Sequence, residues 1–271
     1  MTCPPVAGRY PTVDGKLSQA AYLTAVDKCY AGLQAKLSAA TGGGVPSSLD
    51  SFDYACLHSP YNKLVQKGFG RMLNADLIAS PTSAEWAADE EAQRLACQLA
   101  ADTVDDREAE KVLRRLSASR YDAMCAAGHT LSKAVGNCYT AALYMNLLSL
   151  VSNRAHSLPG KRVLMFSYGS GAVATAFTIN CRAPTAHNSH DVRGEPFTLE
   201  RIASVADISA RLSACTERSV AAFSEAMDLR SSRYGACNYQ PSGPVADLWP
   251  GTFYLTNVDG EHRRSYSRTP N

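Results

Sequence analysis

Several features that would mark a membrane protein or a nucleic-acid-binding protein are missing from this chain of 271 residues. No apolar stretch reaches the roughly 18 residues that a membrane-spanning helix needs. The formal net charge of +2 is too small for a protein that holds nucleic acid or an anionic membrane through a basic surface. Residues 1–5 form neither a secretory signal nor an Arg-rich transit peptide. We therefore expect a cytoplasmic protein with no nucleic-acid or membrane partner.

Disulfide and zinc frameworks are also missing, although the chain has nine cysteines. Their number is odd, and none are spaced as Cys-x-x-Cys. Those that fall within apolar runs are Cys29, Cys56, Cys138 and Cys181. This pattern is typical of reduced, buried thiols in a cytosol-like compartment. His187 and His190 could form a metal pair, but no third ligand stands nearby, so we expect no metal.

What is present is the composition of a globular protein, 45% hydrophobic and 19% charged, and long enough for one large or two small domains. The spacing of apolar residues predicts a helix over residues 17–38, and a short apolar run predicts a buried strand over 52–57. Residues 80–118 are dense in Glu, Asp, Arg and Ala, which we interpret as exposed helices of a charged surface insertion. The next segment, 120–130, is predicted as a strand and loop.

The second half of the chain alternates helices and strands. Its predicted elements are a helix from about Val135 or Asn137 to about Ser152, a strand over 163–166, mainly helix over 199–231, and strands over 252–258 and 262–268. Asp259 and Gly260 separate the last two strands, and this dipeptide predicts a hairpin with a type I′ turn. The whole pattern indicates an α/β protein.

His58 is the candidate catalytic residue, because it stands at a predicted strand-to-helix junction. Behind it, Ser59 and Pro60 are typical of a helix start, with Ser as the N-cap and Pro at the first helical position. Lys63 and Lys67 lie four residues apart on the predicted helix, so their ammonium groups share one face. A titratable imidazole beside two cations suits general acid/base chemistry next to an anionic, phosphorylated ligand.

Arg71 extends this basic face. The apolar side of the same predicted helix consists of Leu64, Val65, Phe69, Met72 and Leu73. A structural interpretation competes with the catalytic one, because a lone histidine near a strand end is more often a satisfied structural residue. A lysine pair on a helix is likewise more often a solvated face. This segment alone leaves both interpretations open.

A glycine-rich turn follows the strand at 163–166 and permits three interpretations. Residues 169–174 fit the dinucleotide fingerprint Gly-x-Gly-x-x-Ala, but that fingerprint must open a helix, and residues 173–181 alternate with a period of two. A serine-hydrolase elbow needs Gly-x-Ser-x-Gly before a helix, and neither condition holds. We therefore predict a tight turn between two strands, in which Ser170 is either a ligand donor or a turn residue.

Together these segments resemble the 3-hydroxy-3-methylglutaryl-CoA synthase family, whose members have a thiolase-like fold. The matching segments, in the family's order and spacing, are residues 10–18, 22–23, 27–30, 58–67, 136–140, 166–171, 249–255 and 262–266. The departures are small: Cys138 stands where the family often has Met, and Asn62 where it often has Cys. The resemblance covers residues 1–271 as one C-terminal domain. It implies the C-terminal half of a thiolase-like α/β fold, with a mixed sheet and covering and buried helices.

The resemblance also implies roles for five residues. His58 matches a catalytic acid/base that acts on the acetoacetyl carbonyl. Lys63 and Lys67 match CoA-binding lysines, and Asn137 and Ser170 match residues that contact the acyl-CoA. The implied activity condenses acetyl-CoA with acetoacetyl-CoA to 3-hydroxy-3-methylglutaryl-CoA in mevalonate and isoprenoid biosynthesis. Acyl-CoA molecules are the implied substrates, with no cofactor and no metal.

The family's reaction further needs a cysteine that carries the acetyl group and a glutamate that acts as general base. Both belong to the family's N-terminal half, which this sequence does not match, so we expect half an active site. Such a chain is a partial gene product, a truncated isoform or a split subunit, and it depends on an N-terminal half or a homodimer partner. An organellar form stays open, because a targeting peptide would precede the matched part.

Two other classes compete with the synthase. One is a non-catalytic CoA-binding or subunit-interaction protein derived from the family. The other is a thiolase or ketoacyl synthase. Such a protein shares the fold, but it lacks the amino-acid sequence of residues 58–67 and the C-terminal hairpin.

Overall fold

A computed structural model describes residues 14–40, 42, 47–98, 100–169, 171–184, 190, 194–195 and 197–271. The chain divides into two compact units, one up to Arg211 and one from Leu212 to Asn271. Over the described residues, no helix combines the length and the apolar character that crossing a membrane requires. His187 lies outside the described residues, so the metal-pair hypothesis is not tested.

The first unit contains one sheet and most of the helices. Its strands are β1 (Tyr54–Leu57), β2 (Arg162–Gly169) and β3 (Val173–Asn180). Its helices are α1 (Gly15–Ala40), α2 (Asn62–Ala79), α3 (Glu90–Ala96), α4 (Arg107–Met124), α5 (Thr130–Val135), α6 (Ala142–Arg154) and α7 (Leu199–Ala206). A short helix, α8 (Ile208–Ser213), includes the residues in the sequence at which the two units divide. The predicted helix over 17–38 and the predicted strands over 52–57 and 163–166 are confirmed.

The sheet has the order β1-β2-β3 and is mixed, since β1 runs parallel to β2 and β3 runs antiparallel to it. Successive side chains of β2 point to opposite faces. Leu164 and Phe166 join a core with α1, α2 and α4. Val163 and Met165 join a second core with α6 and α7. The sheet therefore lies between two layers of helices, and each face of the central strand buries its own cluster.

Helix α2 confirms the predicted apolar side, because Leu64, Val65, Phe69, Met72 and Leu73 are all buried. The predicted helix start is wrong. The N-cap is Tyr61, in an extended conformation and with no side-chain cap, and the helix begins at Asn62. Ser59 does not act as a cap, because the chain needs residues 59 and 60 to turn out of β1. Its hydroxyl is buried with no hydrogen-bond partner in the described part of the chain.

The prediction of an exposed insertion over 80–118 is wrong in its exposure, although the segment is mainly helical. Helix α4 packs along α2 and buries Val112, Leu113 and Tyr121, while Trp86 and Leu95 are buried in the same core. Charged residues dominate the segment, yet its few apolar residues recur on one face of each helix. The segment therefore belongs to the core of the first unit.

Two boundaries between residues 120 and 154 also differ from the predictions. The predicted strand over 120–130 is wrong, since α4 continues to Met124 and a 3-10 turn, Ala126–His129, follows. The long helix predicted from Val135 or Asn137 begins at Ala142 instead. A break precedes it, because Gly136 has φ 88 and Tyr139 has φ 49, and neither value continues a helix.

The glycine-rich turn joins β2 to β3 in an antiparallel hairpin, with Gly169 opposite Val173. Residues 173–180 form a strand and no helix, so the dinucleotide interpretation is excluded. Ala172 takes the left-handed conformation in the turn, with φ 62, and donates its N–H to the Gly169 carbonyl at 2.9 Å. Ser170 itself lies outside the described residues.

The second unit consists of α9 (Val220–Arg233) and a hairpin of β4 (Phe253–Val258) and β5 (Arg264–Arg268). The mainly helical character of 199–231 and the C-terminal hairpin are confirmed. The type I′ turn is wrong, because that turn needs positive φ at Asp259 and Gly260, whereas His262 carries it, with φ 62. The Asp259 carboxylate accepts the N–H groups of Glu261 and Arg263, which holds this wider loop.

Candidate active site

His58 lies immediately after β1, at the carboxyl edge of the sheet. Leu57 pairs with Phe166 in the parallel register, so the carboxyl ends of β1 and β2 meet at this edge. The backbone N–H of His58 donates to the Phe166 carbonyl at 2.7 Å and extends the ladder by one bond. In open α/β sheets, ligands bind beyond the carboxyl ends of the strands, so the location suits a reacting group.

The imidazole of His58 lies in an aromatic setting and is only 8% exposed. The ring centroid of Tyr168 lies 6.3 Å away, and Tyr22 packs edge-on against both Tyr168 and Phe166. Burial lowers the pKa of His58 below its ordinary value. The ring is therefore largely neutral near pH 7, a state in which it can accept a proton and hand one on.

Two buried side chains behind His58 hold the end of β1. Asn146 Nδ2 donates to the Leu57 carbonyl at 2.8 Å, and His129 Nε2 lies 3.2 Å from the same oxygen. The hydroxyl of Tyr22 donates to the carbonyl of His58 at 2.9 Å. None of these three residues is a site residue predicted from the sequence. The sequence does contain one indication of a role for Asn146, since this polar residue interrupts the apolar face of α6.

The two lysines of α2 differ in their surroundings. Lys63 is exposed and forms no ion pair with any described residue. Lys67 is 13% exposed, its Nζ lies 2.8 Å from Glu110 Oε2, and it also donates to Gln19 Oε1 at 3.1 Å. The charge of Lys67 is thus partly compensated within the protein, whereas that of Lys63 faces solvent.

Arg71 does not extend an exposed basic face, so that part of the prediction is wrong. Its side chain is 4% exposed and pairs with the carboxylate of Asp27, with Nε 2.9 Å from Oδ1. It also donates to the Thr103 hydroxyl and the Ala100 carbonyl. Arg71 therefore holds the 3-10 turn before α4 against α1 and α2, and it is unavailable to a ligand.

Asn137 lies in the exposed loop between α5 and α6. Its Oδ1 accepts the N–H of Tyr139 at 2.7 Å, a contact that closes a tight turn beside the strained φ of Tyr139. The amide nitrogen of Asn137 takes no part in this hydrogen bond. Ser170 lies outside the described residues, two positions beyond Tyr168. The structure thus gathers His58 and the end of β2 at one edge, and it places Asn137 on a loop of its own.

The cysteines nearest these segments differ in their reactivity. Burial raises the pKa of the Cys56 thiol to about 12. Burial also raises the pKa of Cys125 well above its ordinary value. Cys138 is half-buried, with its Sγ 3.6 Å from the sulfur of Met145. All eight cysteines in the described part of the chain are free thiols, and two of them, Cys56 and Cys125, are too strongly desolvated to serve as nucleophiles.

The mixed sheet between two helical layers, with a buried histidine at its carboxyl edge, defines a thiolase-like α/β protein. A family model described as "Hydroxymethylglutaryl-coenzyme A synthase C terminal" matches residues 2–269. The chain therefore belongs to the hydroxymethylglutaryl-CoA synthase family, and it corresponds to the family's C-terminal part. The resemblance and the fold class inferred from the sequence are both confirmed.

Curated relatives support the same family. Hydroxymethylglutaryl-CoA synthase A of Dictyostelium discoideum is 37% identical over 266 residues, which cover 98% of this chain and 51% of that protein. The human mitochondrial synthase is 34% identical and the human cytoplasmic synthase is also 34% identical, each matching 98% of this chain. The chain spans about half the length of the curated relatives it matches. Since relatives occur in both compartments, they do not decide between them.

Solved structures show the same fold. "MvaS in complex with 3-hydroxy-3-methylglutaryl coenzyme A" superposes with a TM-score of 0.69 at 26% identity, covering 98% of this chain and 53% of that one. "Crystal structure of HMG_CoA synthase complexed with CoA" gives a TM-score of 0.54 at 22% identity, covering 98% of this chain and 52% of that one. At that lower identity the second likeness concerns the fold alone.

Proposed function

We propose that this chain is the C-terminal part of a hydroxymethylglutaryl-CoA synthase that condenses acetyl-CoA with acetoacetyl-CoA in isoprenoid biosynthesis. The observation that carries the proposal is the place of His58. It is a buried imidazole with a lowered pKa, at the carboxyl edge of the sheet, in a chain that belongs to this family. No cofactor is required, because the thioester activates the acetyl group.

In this proposal His58 serves the second substrate. Attack of an acetyl carbanion on the ketone of acetoacetyl-CoA forms a carbon–carbon bond and turns the ketone oxygen into an alkoxide. That oxygen must gain a proton, and the imidazole of His58, once protonated, can supply it at the sheet edge and return to its neutral form. The low polarity around Tyr22 and Tyr168 strengthens the hydrogen bond from the imidazole to the developing charge.

CoA binding is assigned to the start of α2, with Lys63 as its main cation. The ammonium group of Lys63 faces solvent in the first turn of the helix, where the positive end of the helix dipole also favours an anion. Lys67 contributes less, because Glu110 already holds its charge. Asn137 and Ser170 are proposed to contact the acyl-CoA, Asn137 through an amide nitrogen that suits a thioester carbonyl.

The acetyl-carrying cysteine and the general-base glutamate are proposed to come from another part of the protein or from a partner. The buried thiols Cys56 and Cys125 support this, because burial raises the pKa of each. A nucleophile needs its thiolate, and a pKa near 12 leaves almost none at neutral pH. The partner is an N-terminal portion of the same enzyme or a second subunit.

The test is a complete enzyme in which residues 1–271 replace the matching half of the Dictyostelium relative. His58→Ala should lower the rate of condensation by about 100-fold or more, the usual contribution of a general acid/base. Acetylation of the nucleophilic cysteine, measured with radiolabelled acetyl-CoA, should stay largely intact. His156→Ala is the matched control, because the side chain of His156 is 93% exposed and lies away from the sheet edge. Condensation by His58→Ala within tenfold of the parent would make His58 structural.

A second candidate function is a non-catalytic subunit that binds acyl-CoA or another protein. The exposed apolar side chains of the second unit favour it, among them Phe223, Trp249 and Phe253. The same hybrid enzyme separates the two candidates. A folded hybrid that binds CoA without condensation, with His58 intact, supports the non-catalytic subunit and overturns the synthase.

A further inference from the structure

The peptide group between Leu57 and His58 is held on both of its sides. Its N–H points toward β2 and donates to the Phe166 carbonyl. The N–H and C=O of a trans peptide point in opposite directions, so the Leu57 carbonyl faces away from β2. There it meets Asn146 and His129, and all three residues are fully buried. The Leu57 carbonyl, at the end of β1, thus has two buried side chains within hydrogen-bonding distance.

Asn146 is the stronger of the two partners. A carbonyl oxygen only accepts hydrogen bonds, so Asn146 must turn its Nδ2 toward Leu57, at 2.8 Å. Its Oδ1 is then buried with no hydrogen-bond partner in the described part of the chain. An unsatisfied buried acceptor is costly, so a leucine of similar size would be expected here if packing were the only requirement.

His129 bridges two carbonyls. Its Nδ1 lies 2.9 Å from the Cys125 oxygen and its Nε2 lies 3.2 Å from the Leu57 oxygen. A neutral imidazole has one N–H and satisfies only one of these acceptors. Burial lowers the pKa of His129, which favours the neutral ring. His129 therefore supports the Leu57 carbonyl less firmly than Asn146 does.

We propose that Asn146 and His129 are positioning residues that fix the backbone of His58 and so aim its imidazole. The catalytic purpose of this positioning rests on the proposed function, whereas the anchoring of the backbone does not. With Tyr22 bound to the His58 carbonyl, the peptide groups on both sides of His58 are anchored, and only the side-chain torsions stay free. Misplacing a reacting group by about 1 Å can cost a hundredfold in rate, so such anchoring matters for an acid/base residue.

The experiment measures how fast diethyl pyrocarbonate modifies each histidine in residues 1–271, with the sites resolved by peptide mass spectrometry. Asn146→Leu removes the donor and also the unpaired Oδ1. We expect the modification of His58 to accelerate at least about fivefold through local opening of the strand end, with global stability unchanged or raised. His156 is the exposed reference, and its rate should not change.

Asn153→Leu is the matched control, since Asn153 is an exposed residue of the same helix that donates to Ala127 and Ser149 and not to Leu57. It should leave the His58 rate within twofold of the parent. Equal acceleration in both variants, or faster modification of His129 as well, would mean general loosening and would overturn the proposal. So would an unchanged His58 rate in folded Asn146→Leu.

His129 provides a second route if Asn146→Leu does not fold. His129→Phe should accelerate the modification of His58 less than Asn146→Leu does, and His129→Gln, which keeps an N–H donor, should restore the parent rate. Equal rates in the Phe and Gln variants would overturn the role of His129. None of these measurements uses an acyl-CoA, so a hybrid enzyme without condensation activity would sink the proposed function and leave this result standing.

Discussion

The two units of the chain are folded by different means. In the first unit, apolar residues are buried on both faces of a sheet, and large side chains such as Tyr22, Phe69 and Phe166 have no exposed surface. In the described part of the second unit, Val258 and Thr269 are the only buried residues. Helix α9 has no buried residue, although Ser219 caps its first turn with a 3.1 Å hydrogen bond.

The difference indicates what each unit needs. Hydrophobic burial supplies most folding free energy, and only the first unit has much of it. The second unit keeps its shape through strand pairing, caps and turn contacts, while it exposes Val220 at 83% and Phe253 at 72%. These large apolar side chains remain in contact with solvent, so covering them would be favourable. We therefore expect the second unit to be stabilised by another part of the protein or by a partner.

The largest expected effect on stability comes from shortening one phenylalanine in each unit to alanine. Phe69→Ala in the first unit should lower the free energy of unfolding by about 3 to 5 kcal/mol, because it leaves a cavity in the core. Phe223→Ala in the second unit, where the ring is 65% exposed, should change it by less than about 0.5 kcal/mol. Urea unfolding followed by circular dichroism, which reports on both units, measures the two losses. Equal losses would refute the contrast.

Paired arginine substitutions sharpen the same contrast. Arg71→Met should cost about 3 kcal/mol, because it leaves the partly buried carboxylate of Asp27, whose pKa burial already raises, without its partner. Arg230→Met, on the exposed surface of α9, should leave the urea midpoint unchanged. An unchanged urea midpoint in Arg71→Met would show that the ion pair does not stabilise the fold. Circular dichroism at each urea concentration is a suitable measurement for both variants.

The lysines of α2 extend the comparison to ligand binding. Lys63→Ala should weaken CoA binding by about 1 kcal/mol, roughly fivefold in Kd, and high salt should reduce the difference. Lys67→Ala should have a smaller effect, because Glu110 holds that ammonium group. Calorimetric titration with CoA gives both values, and Glu110→Ala is the control that releases Lys67. A larger loss from Lys67→Ala than from Lys63→Ala would reverse the assignment.

The pH dependence of unfolding gives the smallest net effect. Burial lowers the pKa of His58 and His129, so the unfolded chain binds protons more readily and stability falls as the pH drops below about 6.5. Burial raises the pKa of Asp76 to about 6, so the folded chain binds that proton more tightly and stability rises as the pH falls from 6 toward 4. The two contributions oppose each other.

Asp76→Asn removes the second contribution. Its stability should therefore fall more steeply than that of the parent between pH 6 and pH 4, when the midpoint is followed through Trp86. Asp228→Asn, exposed on α9 in the second unit, should leave the slope unchanged. A shallower slope in Asp76→Asn would show that the burial of Asp76 does not raise its pKa.

The sequence predicted elements well where periodicity was strong and the chain was regular. The strand that ends at Leu57, the apolar side of α2 and both hairpins follow directly from spacing. Composition misled where tertiary packing decides exposure. The segment around α4 is highly charged, yet a few apolar residues on one face, such as Val112 and Leu113, suffice to bury it against α2.

Local signals also failed where backbone geometry depends on contacts distant in sequence. Ser59 has the chemistry of an N-cap, but its place at the exit of β1 moves the helix start to Asn62. Of the site, the predicted strand-to-helix junction singled out His58, and the resemblance gave its catalytic role. Spacing supplied the lysine pair without its difference in partners. Asn146 and His129 could not be assigned to Leu57, because residues 89 and 72 positions apart meet only in the folded chain.

The most direct measurement is synthase turnover by residues 1–271 alone and after addition of the N-terminal portion of the Dictyostelium relative. Acetyl-CoA and acetoacetyl-CoA are supplied in both cases, and light scattering records the oligomeric state. We predict no turnover by the isolated chain, self-association through its exposed apolar surface, and turnover once the N-terminal portion is present. Turnover by a monodisperse monomer of residues 1–271 would contradict both the proposal that the nucleophile lies elsewhere and the need for a partner.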